Sequence, residues 1–447
     1  MKKIILFGAG RSSYNLIAYL IDQSSIYNWK ITIIDQQFGK SLDKFSNRPN
    51  VQFLEGNVLD GQLRGEYMRE ANLVISMLPA MFHLEIARDC LHYKKPLLTA
   101  SYISDEMRLL GEEVERNGLL FMNECGLDPG IDHMSAIKVI HSLRDQGFEL
   151  TAFESFTGGL LAPNKDIENP WEYKFTWNPR NVVLAGQGVV KFIQEGKYKY
   201  FPYTKLFRRT ESIFIKGYGQ FEGYGNRDSL KYLDIYGLRG IKTIYRGTLR
   251  RPGFCRTWDV FVQLGATDDS FQMEGVANMT HRDFINSFLS YNPHDSVELK
   301  LAYYLNLDLD GPEMTRLKWS GFFDEEPVGL TMGTPAQILE HILKKKWTLH
   351  ENEHDMIVMW HKFNFLDKGI EKEIHSRFVV QGEDHLNTAM SKTVGIPMGI
   401  VAKLMLEDRL TIKGVRIPIY KEVYEPVLKE LSEMNFDIED SEPFVVK

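Results

Sequence analysis

Residues 3–8, Lys-Ile-Ile-Leu-Phe-Gly, form a nearly continuous apolar run that ends in Gly8-Ala9-Gly10. A strand without polar alternation suits a parallel sheet that is covered on both faces. Residues 12–22 then place Leu16, Ile17 and Leu20 at helical spacing, and Lys30–Asp35 reads as a second strand. Strand, glycine turn, helix and strand make one βαβ unit. Further strands are predicted within 71–79, 95–102 and 118–130, with helical periodicity in MFHLEIARDCLHY between the first two. The fold class is therefore α/β, opening with a doubly wound parallel sheet of the Rossmann type.

The glycine turn reads Gly8-Ala9-Gly10-Arg11-Ser12-Ser13, so Ser13 stands where a full GxGxxG has its third glycine. Such a turn lets the backbone and a helix N-terminus approach a pyrophosphate. Gly8, Gly10, Arg11, Ser12 and Ser13 are the candidate cofactor-binding residues at this end. Asp35 closes the second strand, where a carboxylate can accept both ribose hydroxyls of adenosine. No arginine follows it (Gln36, Gln37, Phe38), so NAD is expected over NADP. Ser76-Met77-Leu78-Pro79 ends another predicted strand, and Ser76 and Leu78 are expected to line the nicotinamide side.

The 447 residues are enough for two or three domains. A net charge of −7 gives no broad footprint for nucleic acid. Cys90, Cys125 and Cys255 are scattered and odd in number, with no CxxC spacing, and suggest a reducing compartment without structural zinc. No run reaches the ~20 apolar residues of a membrane span. A cytoplasmic protein is expected, with no metal and no membrane partner.

After residue ~145 the text changes to mixed strands such as LTAFESF, SIFIKGY, KTIYRGT, DMIVMWHKF and EIHSRFVVQ. Residues 252–350 look helical, and Lys344-Lys345-Lys346 there reads as a solvated helix face. Long helices return at the C-terminal end and are expected to pack on the N-terminal domain. Polar clusters sit where strands end: Ser101-Tyr102, and Asn123 through Asp128 to His133.

Several separated motifs carry a resemblance over nearly the whole chain. They are Ser101-Tyr102-Ile103-Ser104, GLDPGIDHM at 126–134, GGLLAP at 158–163, NPWEYKFTWNPR at 169–180, YGNRDS at 224–229, YRGTLR at 245–250 and KTVGIP at 392–397. With these the sequence resembles the saccharopine dehydrogenase family, in its L-glutamate-forming branch. The resemblance implies a Rossmann domain at 1–125 completed by 390–447, and a mixed α/β substrate and dimerisation domain at 126–251 and 351–389. A helical insertion at 252–350 and a homodimer are also implied. The implied activity is oxidation of saccharopine with hydrolysis of the resulting imine, giving 2-aminoadipate 6-semialdehyde and L-glutamate, or the reverse.

A substrate with three carboxylates needs cationic partners, and arginine binds carboxylates bidentately. By motif match Arg227 and Arg246 fill that role, with Thr248, Lys174 and Trp177 beside them. Asp128 and Tyr102 are the candidates for proton transfer, and Ser101 for substrate contact. Leu127 and Pro129 flank Asp128 and are expected to touch the cofactor. Where the family commonly carries cysteine, this chain has Thr157, and Leu161 replaces the first proline of the next motif. Thr157 is kept as a substrate contact. Two alternatives stay open: a related imine-forming reductase such as a carboxynorspermidine dehydrogenase, and a non-catalytic NAD-binding regulator. The arginines argue against the first, and their joint presence with Asp128 against the second.

Overall fold

The computed structural model describes residues 1–163 and 168–446. Two compact units divide the chain: residues 1–149 with 378–439, and residues 150–377 with 440 onward.

The first unit is built on strands β1 (Lys2–Phe7), β2 (Trp29–Asp35), β3 (Val51–Glu55), β4 (Leu73–Ser76), β5 (Leu97–Thr99) and β6 (Leu120–Met122). Helices α1 (Tyr14–Tyr27), α2 (Gly61–Met68), α3 (His83–His92) and α4 (Ile131–Asp145) belong to the same unit. Ile4, Leu6 and Phe7 are fully buried, as are Ile31, Ile33 and Ile34 of β2. Burial on both faces is the reason these strands carry no polar alternation. The sheet order is β6-β5-β4-β1-β2-β3, all parallel, with the order reversing beside β1. That reversal opens a crevice at the carboxyl ends of β1 and β4, where ligands of such sheets bind.

The second unit holds a mixed sheet. Its strands are β7 (Glu149–Leu161), β8 (Val189–Gln194), β9 (Lys197–Pro202), β10 (Glu211–Ile215), β11 (Gly219–Gly225), β12 (Thr243–Arg250), β13 (Asp355–Asp367) and β14 (Ile370–Gln381). The order runs β10-β11-β12-β7-β13-β14, with β8 and β9 as a hairpin on β12. β12 runs parallel to β7 and places Arg246 opposite Ser155 and Thr248 opposite Thr157. Between β12 and β13 the chain is helical, from α5 (Phe254–Leu264) to α6 (Pro335–Trp347). Trp171, Tyr173, Phe254, Trp258 and Trp347 form an aromatic core under these helices, with ring centroids 4.9–6.0 Å apart. Lys344 pairs with Glu340 at 2.6 Å and Lys345 with Glu326 at 2.8 Å, so part of the lysine run is a salt-bridged helix face.

The first unit is completed by a late return of the chain. β15 (Gly414–Arg416) joins β6 in parallel as a seventh strand. Helices α7 (Ala389–Leu406) and α8 (Lys421–Glu433) pack beside α1 and α4. Ser391 Oγ accepts the Asn15 N–H at 3.1 Å. Lys403 bonds both carboxylate oxygens of Glu430, at 2.7 and 2.6 Å, and Tyr19 donates to Glu430 at 2.5 Å. α7 can approach α1 closely because Gly395 faces it: a Cβ there would lie 2.5 Å from the backbone nitrogen of Leu16. Gly395→Ala is expected to lower stability by about 1–3 kcal/mol through overpacking against backbone. A urea midpoint equal to that of the unsubstituted protein would refute this.

By length and composition α7 could cross a membrane, but its 18 residues fall short of the run sought in the sequence and 78% of that window is buried inside the protein. A core helix shielded on all sides carries the same composition as a membrane span.

Candidate active site

Gly8 adopts φ +97°, and a Cβ on it would lie 2.9 Å from the Met77 carbonyl carbon. The turn after β1 and the turn after β4 therefore meet backbone to backbone, tied by the Met77 N–H to the Phe7 carbonyl at 2.7 Å. Gly10 has open space where its Cβ would stand, with nothing within 4 Å. A short 3₁₀ turn, Arg11–Ser13, leads into α1 with no side-chain cap. Ser13 is buried and its hydroxyl folds back onto the Gly10 carbonyl at 2.6 Å, so it fills the third-glycine position compactly. Ser12 is half-buried and Arg11 exposed. An uncapped helix start beneath an open glycine fits a pyrophosphate.

Asp35 behaves differently from the sequence expectation. Its Oδ2 accepts the Ala9 N–H at 2.5 Å and its Oδ1 accepts the Gln36 N–H at 2.6 Å. One oxygen braces the glycine turn, and the other caps the backbone at the end of β2.

Ser76 is fully buried, and its Oγ lies 2.8 Å from His83 Nδ1. Ser101 Oγ lies 2.7 Å from His83 Nε2, and Thr99 Oγ1 lies 3.2 Å from the same nitrogen. Leu78 is buried beside them in the turn after β4. Burial pulls the His83 pKa down to about 4, which keeps the ring neutral.

The proton-transfer candidates meet. The Tyr102 hydroxyl donates to Asp128 Oδ1 at 2.5 Å. Asp128 is half-buried, while Leu127 and Pro129 are buried around it. Glu124 fixes both loops: its Oε1 accepts the Ile103 N–H at 3.0 Å, and its Oε2 contacts His133 Nε2 at 2.7 Å. His133, on the first turn of α4, is fully buried.

In the second unit, Arg246 is buried, with its guanidinium 4.2 Å from the centre of the Tyr232 ring and its N–H bonded to Ser229 Oγ at 3.0 Å. Arg227 lies in the loop after β11 and is exposed; the neighbouring Asn226 N–H reaches the Arg246 carbonyl at 3.4 Å. Thr248 is half-buried and stands opposite Tyr224 of β11 in the sheet. Thr157 is buried, and its hydroxyl has no hydrogen-bond partner among the described residues. A buried hydroxyl left so costs about 1–3 kcal/mol, which a polar ligand would recover. Lys174 is placed otherwise than its motif suggests: it is buried, 2.6 Å from Glu353, and donates to the Thr348 carbonyl at 3.1 Å. Trp177 is half-buried.

Two family models cover nearly the whole chain. "Saccharopine dehydrogenase NADP binding domain" matches residues 4–122, and "Saccharopine dehydrogenase C-terminal domain" matches residues 126–436. The chain belongs to the saccharopine dehydrogenase family. Among its relatives, saccharopine dehydrogenase [NADP(+), L-glutamate-forming] of Saccharomyces cerevisiae is 29% identical over 97% of both chains. The mitochondrial alpha-aminoadipic semialdehyde synthase of Bos taurus is 30% identical over 96% of this chain. The chain spans about half the length of that longer relative. A solved apo structure of the yeast saccharopine dehydrogenase (L-Glu forming) superposes over 100% of both chains, with a TM-score of 0.87 at 26% identity.

The family match corrects the expectation of NAD over NADP. The matching nucleotide model is an NADP binding domain, and fungal relatives are named as NADP(+) enzymes. The acid at the end of β2 is half-buried, and each of its oxygens already accepts one backbone N–H. The rule that such an acid repels a 2′-phosphate assumes a carboxylate presented to the ribose.

Glu124 and His133 lie within the polar cluster read from the sequence at 123–133, whereas His83 was not among the candidates. A signal for His83 existed: it opens the helix after the Ser76 strand end, within reach of residues that close the next strand.

Proposed function

We propose that the chain is an NADP-dependent oxidoreductase that interconverts saccharopine with 2-aminoadipate 6-semialdehyde and L-glutamate. The Tyr102–Asp128 hydrogen bond of 2.5 Å carries this reading, because the chemistry needs a group that moves protons at a secondary amine. The named activities of the full-length fungal relatives support it.

When bound, the cofactor accepts or returns the hydride. The remaining work falls to the protein. Asp128 and Tyr102 take a proton from the substrate amine before hydride transfer and release it to solvent; they then accept a proton from the water that attacks the imine carbon and return it to the nitrogen as the C–N bond breaks and L-glutamate leaves. Gly8, Gly10 and the first turn of α1 hold the pyrophosphate. Arg246 and Arg227 bind substrate carboxylates, with Thr248 and Thr157 as hydroxyl contacts. The buried guanidinium of Arg246 suits bidentate pairing in a dry setting. The same proposal keeps Ser101 as a substrate contact and gives Lys174 a supporting place through Glu353.

The test is to mix purified protein with saccharopine and NADP, and separately NAD, and to follow reduced-cofactor absorbance. Turnover with NADP, at least about tenfold faster than with NAD, is expected for a 2′-phosphate contact worth roughly 1.4 kcal/mol or more. No turnover with either cofactor would refute the proposal.

A further inference from the structure

One imidazole meets three hydroxyls at the carboxyl ends of β4 and β5. His83 Nδ1 faces Ser76 at 2.8 Å, and Nε2 faces Ser101 at 2.7 Å and Thr99 at 3.2 Å. The Ser101 N–H adds a bond to Thr99 Oγ1 at 3.2 Å, which closes the network. His83 is 5% exposed, Thr99 1% and Ser76 0%, whereas Ser101 at the rim is half-buried. A fold that needed only to fill this space would be as stable with apolar side chains. A fully satisfied polar network fixes each hydroxyl in one orientation.

The sheet order locates the network relative to the crevice. β4 lies beside β1, and β5 beyond it, on the side away from β2. In sheets of this kind the adenosine half of a dinucleotide lies over the β2 side and the nicotinamide half over the other. The glycine turn and Asp35 belong to the first side, and Ser76, Thr99 and Ser101 to the second.

We infer that His83 is a positioning residue for the nicotinamide half of the cofactor, acting by holding the hydroxyls of Ser76 and Ser101. The inference rests on the NADP-dependent activity proposed above. A neutral imidazole has one donor and one acceptor, so it can serve a hydroxyl on each side, and no aliphatic side chain can.

The test compares two ligands by equilibrium binding: NADPH, and 2′,5′-ADP, which carries only the adenosine half. His83→Leu is expected to weaken NADPH about tenfold, the scale of one lost hydrogen bond, and to leave 2′,5′-ADP within about twofold. His83→Gln, which keeps a donor and an acceptor, should recover most of the loss. In a Ser101→Ala background most of the His83→Leu effect should vanish, since coupled residues are not additive. Equal weakening of both ligands would reduce His83 to a packing residue and overturn the inference. So would unchanged NADPH affinity. Where His83→Leu fails to fold, Ser76→Ala and Ser101→Ala carry the same test: at least one must weaken NADPH selectively, and unchanged affinity in both overturns the inference. The ligand split in His83→Leu, together with an unsubstituted protein that binds NADPH but never turns over saccharopine, refutes the proposed substrate and leaves His83 standing. One that binds no NADPH refutes both.

Discussion

Asp128→Asn is expected to lower kcat by about 10²–10⁴-fold, the usual contribution of a positioned acid or base. The substitution is nearly isosteric, so the loop should keep its shape: Glu124 still anchors Ile103 and His133, and neither bond involves Asp128. What disappears is the carboxylate that receives the Tyr102 hydroxyl. An amide oxygen can still accept that bond but cannot take up a proton at neutral pH. KM should therefore change little while kcat falls, the pattern of an interaction made only in the transition state. The pH–rate profile is the sharper measurement. The limb that reports the Asp128–Tyr102 pair should be lost, and since the two groups are coupled that limb belongs to the pair. A profile identical to that of the unsubstituted protein would clear Asp128 of proton transfer.

The second large effect concerns Arg246. Arg246→Ala should raise KM for saccharopine by about 100-fold, since removing one member of a desolvated charge pair costs about 2–5 kcal/mol. Its burial and its stacking on Tyr232 hold the guanidinium in a fixed plane, which is the condition for two parallel bonds to a carboxylate. Arg246→Lys keeps the charge and loses the fork, and should fall between the two. A saccharopine KM unchanged in Arg246→Ala would remove this residue from carboxylate binding. Arg227→Ala should cost less, because an exposed cation is screened by solvent.

The buried centre of the first unit was legible because burial on both faces leaves an unmistakable apolar run. β4 falls within the segment read from the sequence, and β1 and β2 each begin one residue before theirs. β3, at the sheet edge, was not read: none of its five residues is fully buried, so it has no such run. β9 escaped for the same reason, with Tyr198 and Tyr200 exposed, while its hairpin partner β8 buries Val190, Phe192 and Ile193 in a run interrupted by Lys191. β15 has three residues, too few for any period to register. In the site, Tyr102 and Asp128 were legible through their motifs, and the structure adds the bond between them. Asp35 and Lys174 show the limit. Residue type told what each could bind, but the partner taken, backbone N–H in one case and Glu353 in the other, depends on residues far away in sequence.

The return of β15 and α7 to the first unit has a consequence in time. A ribosome delivers residues 389–416 only after all of 150–377 has emerged, so residues 1–149 wait through that whole stretch for the helices and strand that complete their unit. Domains made of continuous chain commonly mature in the order of synthesis. Here neither unit is continuous: the first closes with residues 378–439 and the second with residues from 440 onward. Until α7 arrives, the face of α1 around Leu16 and Tyr19 and the open edge of β6 stand uncovered, an apolar surface and an unpaired strand together. The nascent first unit thus presents, for as long as residues 150–377 are being made, the kind of surface that chaperones cover.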